Sequence, residues 1–374
     1  MTTIEKTYFT LLRAAVWQTP LPASFEAQTP WQDILHLAIR QGTGSLIAER
    51  LLTLSAQQQI TLPAALLMQC KALCGQNMMQ RQRLMVVFKQ AWTALQEADI
   101  QPVLLKGFGL AEYYHDPELR QCGDIDIFVG KDAYHPGAET LRRTFPKALH
   151  FDEEADYFKH YNLVLGDISI EMHRVSAMFA HPKDSAHYER LETEAMAQAQ
   201  PQQWWRVPEW KFNVLFVFFH SWEHWLTETA CIRQLTDLAV LIAHNTSDKN
   251  ELEAYLRTNL KHLHLTRAWQ LYAYIMVHYL GLPEQQCPLY TAACAEKAEQ
   301  LLAQILQGKD RSQKPQNNAP RNVLLRKLYT LGIRLSEACD IARIEPQYAR
   351  HTIATTFRQS WERFKRGENT RRWE

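Results

Sequence analysis

Along the first hundred residues apolar side chains recur at spacings of three and four, the period that lays an apolar stripe along one side of a helix. The pattern is clearest in Trp31-Gln-Asp-Ile-Leu-His-Leu-Ala-Ile-Arg40 and Ser45-Leu-Ile-Ala-Glu-Arg-Leu-Leu52. Pro20, Pro22 and Pro30 interrupt it, and Gly42 to Gly44 predict a turn between helices. Long amphipathic helices are expected after Pro63, from Met68 to Leu95. Ile4 to about Ala98 therefore reads as a helical region with the character of a scaffold.

From Ile100 to about Val175 the period changes. Val103-Leu-Leu105 predicts a short strand, Phe108–Tyr114 a helix, Asp124–Val129 a strand and Tyr134–Phe145 a helix. Leu163-Val-Leu165 and Ile168–His173 predict a hairpin around Gly166-Asp167. This order suggests a small mixed sheet with helices packed on one face. After breaks at Pro201 and Pro208 the chain reads as helical to its end, apart from a polar linker near 309–321. The expected fold class is α+β, predominantly helical. Its expected regions are an N-terminal helical region over 1–98, a mixed-sheet core over 99–200 and a C-terminal helical domain over 201–374.

Composition narrows the function classes. At 374 residues the chain exceeds one ordinary core, and 46% hydrophobic with 22% charged residues is the balance of a folded protein. A net charge of +1 argues against a dedicated nucleic-acid coat and leaves nucleic acid to local basic patches. One such patch is the closing stretch Arg358–Arg372, where basic residues alternate with Trp361 and Phe364; a solvated amphipathic helix has the same pattern. The seven cysteines form no C-x-x-C pair, which suits a reducing, cytoplasmic setting. The N-terminus lacks a secretory pattern, and the apolar run Phe212–Phe219 is too short to span a bilayer.

The informative chemistry lies in Leu104-Leu-Lys-Gly-Phe-Gly109 and Arg120-Gln-Cys-Gly-Asp-Ile-Asp-Ile-Phe-Val129. Period-2 geometry sends Asp124 and Asp126 to the same side of a short apolar strand. Two carboxylates held side by side repel one another and lose solvation, a cost that bound Mg²⁺ or Mn²⁺ removes. Asp124 as a turn residue after Gly123, with Asp126 on a solvated face, is the plainer reading of the tripeptide alone.

Lys106-Gly107, then Asp124-Ile-Asp126, then a later acidic residue on an apolar strand, resembles the nucleotidyltransferase superfamily that includes DNA polymerase beta. Leu-Lys-Gly, followed by Tyr114-His-Asp-Pro-Glu-Leu-Arg120 ahead of Gly-Asp-Ile-Asp-Ile, is similar to a bacterial family of uncharacterised nucleotidyltransferases. The superfamily more usually carries Gly-Ser where this chain has Lys106-Gly107, and a shorter gap to the aspartates. The resemblance implies a third carboxylate, which maps to Glu171 between Ile170 and Met172, with Asp167 beside Gly166 as the competing position. It further implies two Mg²⁺ or Mn²⁺ ions held by Asp124, Asp126 and Glu171. The implied reaction is in-line attack of an acceptor hydroxyl on the α-phosphate of an NTP, with release of pyrophosphate. The acceptor is left open among a sugar, a protein, an RNA end and a small molecule.

Lys106 and Gly107 are then expected at the triphosphate, with Gly107 at a helix N-terminus. Arg120 is expected either on phosphate and the aspartates or in a pair with Asp116 or Glu118. His220-Ser-Trp-Glu-His224 also matches the inverted zinc-protease signature, with Glu251 or Glu253 as a third ligand. In the resembling family the same helix carries paired histidines followed by an Arg and an Asp that match Arg233 and Asp237. This places His220, His224 and Arg233 in the wall of a nucleotide cleft, with Asp237 orienting Arg233 or a histidine. The alternatives to a transferase are a zinc peptidase and a non-catalytic nucleotide-binding module.

Overall fold

The computed structural model describes residues 1–21, 25–26, 28–151, 159–227, 230–245, 249–308, 338–339, 341–351 and 353–354. The linker at 309–321 and the basic stretch at 358–372 lie outside these residues. Four helices lead: α1 (Thr3–Trp17), α2 (Trp31–Arg40), α3 (Gly44–Ala56) and α4 (Ala64–Glu97). A capping box starts α1, with Thr2 accepting from the Glu5 amide and Glu5 accepting from the Thr2 amide. The region expected to hold several helices after Pro63 is one helix of 34 residues, about 50 Å long at 1.5 Å per residue. Its second half carries Leu84, Val87, Phe88, Ala91, Trp92 and Leu95 buried at helical spacing.

That stripe covers one face of a five-stranded sheet built from β1 (Val103–Leu104), β2 (Asp124–Phe128), β3 (Leu149–Phe151), β4 (His160–Leu165) and β5 (Ile168–His173). The spatial order is β1-β2-β5-β4-β3, with β2 and β5 parallel and the other pairs antiparallel. β4 and β5 form the expected hairpin, turned at Gly166 with φ +66°. Strand β3 was not expected; it is a short edge whose Leu149 and Phe151 stay exposed, so neither face shows an apolar alternation to read. The helix expected over Phe108–Tyr114 is a single turn, α5 (Phe108–Ala111). The next helix, α6 (Gly130–Thr144), starts four residues before its expected beginning, because its first turn is polar and shows no periodicity.

The two sheet faces are chemically opposite. Leu104, Ile125, Ile127, Leu163, Ile170 and Met172 join the stripe of α4 and the Tyr134, Ala138 and Leu141 side of α6 in one apolar cluster. Asp124, Asp126, Asn162, Glu171 and His173 occupy the alternate positions and face away from it.

The chain then continues through α7 (Pro182–Ala197), the two-residue strands β6 (Gln200–Pro201) and β7 (Arg206–Val207), and a run of helices. These are α8 (Trp210–Thr227), α9 (Ile232–His244), α10 (Lys249–His262), α11 (Thr266–His278) and α12 (Ala295–Gln307). A larger apolar core joins α1 to α3 with α8 to α12 and takes in Ile341, Tyr348 and Ala349. Among the described residues no helix is long and apolar enough to cross a membrane.

Candidate active site

The site begins with the register of two parallel strands. Asp126 lies opposite Glu171, and Asp124 opposite Ser169, so three carboxylates meet on the polar face of the sheet. Each offers an oxygen within 4.8 Å of the others. Asp126 is fully buried, whereas the Asp124 side chain is 41% exposed at the edge of the cleft. Asp167, the competing third position, points elsewhere: it pairs with Arg83 on the surface.

Burial makes this clustering expensive, and the neighbouring cations offset it. Asp126 Oδ1 accepts from Lys106 Nζ at 2.8 Å and pairs with His173 Nε2 at 2.9 Å. Burial opposes ionisation of Asp126, yet Lys106 and His173 outweigh it and hold the carboxyl below its ordinary range. Burial likewise disfavours the Lys106 ammonium, but Asp126, Asp124 and Glu171 raise its pKa above the usual lysine value. Glu171 is pushed down to about 2: burial raises it, while His173, at 3.5 Å, and His160 lower it further. Asp126 Oδ2 is buried without a hydrogen-bond partner. Three carboxylates, one with a buried oxygen that has no hydrogen-bond partner among the described residues, are the donor set that a hard divalent cation takes, so the residues fit such an ion.

Lys106 follows strand β1, where the Leu105 amide donates to Asp126 O and fixes the lysine beside the aspartates. Gly107 then turns the chain with φ +60° and ψ −113°, a conformation that side chains resist, and a Cβ there would stand 3.4 Å from Asp124 O. The expected helix N-terminus behind it is only the four-residue α5, too short to supply a useful dipole. What Lys106 and Gly107 contribute at this position is a charge and a close backbone.

Helix α8 forms the opposite wall. His220 Nε2 lies 3.0 Å from Lys106 Nζ and 3.0 Å from His224 Nε2. Burial first, then Lys106 and His224, lower the His220 pKa well below the ordinary histidine value, so its ring is neutral and accepts from the lysine. Glu223 turns to Lys159 at 2.6 Å. The zinc-protease reading fails on its third ligand. Glu251 pairs with Lys211, thirteen residues and about 20 Å along α8 from His224, and Glu253 pairs with Arg257. Among the described residues no three-ligand metal group includes His220 or His224.

Arg120 and Asp237 meet in a way the sequence reading did not anticipate. Arg120 donates from Nε and Nη2 to both oxygens of Asp237, at 3.0 and 2.7 Å, and the Tyr114 hydroxyl donates to the same carboxylate at 2.8 Å. Arg120 thus pairs with neither Asp116 nor Glu118, and Asp237 orients Arg120 rather than Arg233 or a histidine. Arg233 instead donates from Nη1 to Gln121 O at 2.8 Å, and its stem packs on Gly42, which has φ +69°. Buried Gln41 accepts from the Ile232 amide at 3.0 Å and so seats the start of α9. Tyr114, Gln41 and His173 are the positioning residues that sequence reasoning missed. The Tyr114-to-Arg120 spacing signalled one of them, and strand alternation put His173 on the face of Glu171 without giving it a role.

These groups enclose a cleft of about 220 Å³, bounded by Lys106, Gly107, Asp124, His220, His224 and Arg233. Arg120, Asp237 and Cys231 also reach its wall. In class, this is a mixed-sheet fold whose polar face carries a metal-capable carboxylate trio, with Asp124 reaching a cleft that Lys106, Arg120 and Arg233 also line. The chain belongs to the uncharacterised nucleotidyltransferase family, whose model matches residues 27–281. No curated protein matches the chain, and no solved structure does.

Proposed function

We propose that the protein transfers a nucleoside monophosphate from an NTP to an acceptor hydroxyl, releasing pyrophosphate, and requires two Mg²⁺ or Mn²⁺ ions. The observation that carries this reading is the carboxylate trio itself, with Asp126 opposite Glu171 on parallel strands and the buried Asp126 Oδ2 unpartnered. Asp124, Asp126 and Glu171 would hold the ions, which when bound neutralise phosphate charge and favour the deprotonated acceptor hydroxyl.

The chain's own residues supply the rest. Lys106 brings a charge that the carboxylates keep protonated, and Arg233 lines the same cleft, so a polyanion meets two cations. Gly107 lets the phosphates approach the backbone. Neutral His220 accepts from Lys106 and is backed by His224, which holds the lysine in place in the wall of the cleft. Arg120, clamped by Asp237, fixes the segment that leads into β2, so the aspartates are prepositioned before substrate arrives.

Calorimetry of Mg²⁺ with each of the four NTPs tests the reading. Asp124→Asn and Asp126→Asn are expected to weaken metal-dependent NTP binding more than tenfold; binding unchanged in both variants would overturn it.

A further inference from the structure

The polar face of the sheet continues past Glu171 onto β4. In the register of β4 and β5, Asn162 lies opposite Glu171 and His160 opposite His173. Cross-strand partners point to the same face, so one row runs Asp126, Glu171, Asn162 across three strands, and the next carries His173 and His160. His160, Glu171 and His173 form a second metal-capable group that shares Glu171 with the trio.

Hydrogen bonding leaves the β4 side chains incomplete. His160 Nδ1 and Asn162 Oδ1 are both buried without a hydrogen-bond partner among the described residues, as Asp126 Oδ2 is on the other side of Glu171. Buried polar atoms are paired as a rule, and both of these present lone pairs, which a cation satisfies. His160 Nδ1 stands 3.8 Å from Glu171 Oε2, too far for a hydrogen bond. It is close to the spacing of two ligands on one ion: donors about 2.1–2.2 Å from a centre and about 120° apart at it lie about 3.7 Å from each other. The His160 and His173 rings are tilted by 59° rather than stacked, with centroids 5.0 Å apart. His173 Nε2 is committed to Asp126 Oδ1 at 2.9 Å, which leaves His160 as the imidazole available to an ion. The side chains of His160 and Glu171 are 27% and 25% exposed, so an ion and its water can reach them.

We propose that His160 Nδ1 is a nitrogen ligand to the ion that Glu171 holds, with Asn162 Oδ1, on the same row, as a further oxygen donor. This ligand set rests on the carboxylate trio being the metal centre of the proposed reaction, and it makes the Glu171 position selective. Mg²⁺ takes oxygen ligands and gives up its water reluctantly, whereas an imidazole favours a transition ion. Mn²⁺ accepts the carboxylates as well, so the Glu171 position prefers Mn²⁺ and the position between Asp124 and Asp126 takes Mg²⁺.

Pulsed electron paramagnetic resonance of Mn²⁺ bound to the full-length protein is the test. One Mn²⁺ should show the nitrogen coupling of a directly bound imidazole, and ¹⁵N labelling of histidine should convert it to the ¹⁵N pattern without any change of sequence. His160→Gln should abolish the coupling and weaken that Mn²⁺ by at least about tenfold, the lower bound for losing even an outer-sphere partner, with Mg²⁺ affinity unchanged. His224→Gln, on the cleft wall, should keep the coupling. Mn²⁺ bound without imidazole coupling would overturn the proposal and leave the carboxylate centre standing. Coupling that survives in His160→Gln would assign the nitrogen to another residue and overturn it as well, and no bound Mn²⁺ at all would overturn both.

Discussion

Asp126 concentrates the site's electrostatics on one atom. Its Oδ1 holds both Lys106 and His173, while Oδ2 has no hydrogen-bond partner among the described residues. Removing the lysine leaves a buried carboxylate beside Glu171 with much less counter-charge, and breaking a buried pair in this way costs about 3–5 kcal/mol. Lys106→Met is therefore expected to lower the unfolding midpoint. Because a divalent cation supplies the same compensation, Mg²⁺ should raise the midpoint of Lys106→Met more than that of the wild type. Equal Mg²⁺ shifts in a thermal melt would show that the trio does not hold the ion.

Elements set where such residues can act. Arg120 follows a 3-10 turn ahead of β2, and Asp237 lies in α9, so their pairing pins strand entry to the helical wall. Arg120→Ala should cost about 3–5 kcal/mol in chemical denaturation, because it leaves Asp237 buried with only Tyr114. Asp167→Ala, which breaks the exposed pair with Arg83, should leave the midpoint unmoved.

The segment at 341–351 responds to pH through Glu345, whose carboxyl burial raises to about 7 from an ordinary 4.5. A raised folded-state pKa means the fold prefers the protonated acid. Its stabilisation is complete below about pH 4.5 and is lost as pH rises through about 7. Amide exchange over 341–351, corrected for the intrinsic rate, should accelerate between pH 5.5 and 8. Glu345→Gln should flatten that dependence, and a dependence unchanged in the variant would assign it to another group.

The same scale explains what could be read from the chain. The acidic strand, the Lys106-Gly107 turn and the placing of Asp124, Asp126 and Glu171 on one sheet face rest on period-2 alternation and local turn chemistry, which neighbouring residues record. The Arg120–Asp237 pair joins positions 117 residues apart, and local pattern carries no record of such a contact. Strand β3 is held by pairing to β4 along one edge, with its side chains exposed, so no periodicity marks it. The H-x-x-E-H spacing was real on α8, but the partner of Glu223 and the remoteness of Glu251 are tertiary facts.

At the scale of the molecule, two apolar cores flank the site. One lies beneath the sheet; the other joins the first three helices to the C-terminal helices. The end of β2 at Asp124, α8 and the start of α9 bound the cleft between them, so elements on two sides bring Asp124 and the cations Lys106, Arg120 and Arg233 to it. The central claim is that this cleft moves a nucleotidyl group. The most direct measurement incubates the protein with α-labelled and, separately, γ-labelled NTPs, with Mg²⁺ or Mn²⁺ and fractionated cell extract. The α-label should pass to an acceptor with stoichiometric pyrophosphate release, and the transfer should vanish in Asp124→Asn and Asp126→Asn. Transfer of the γ-label, or no transfer from any of the four NTPs, would contradict it.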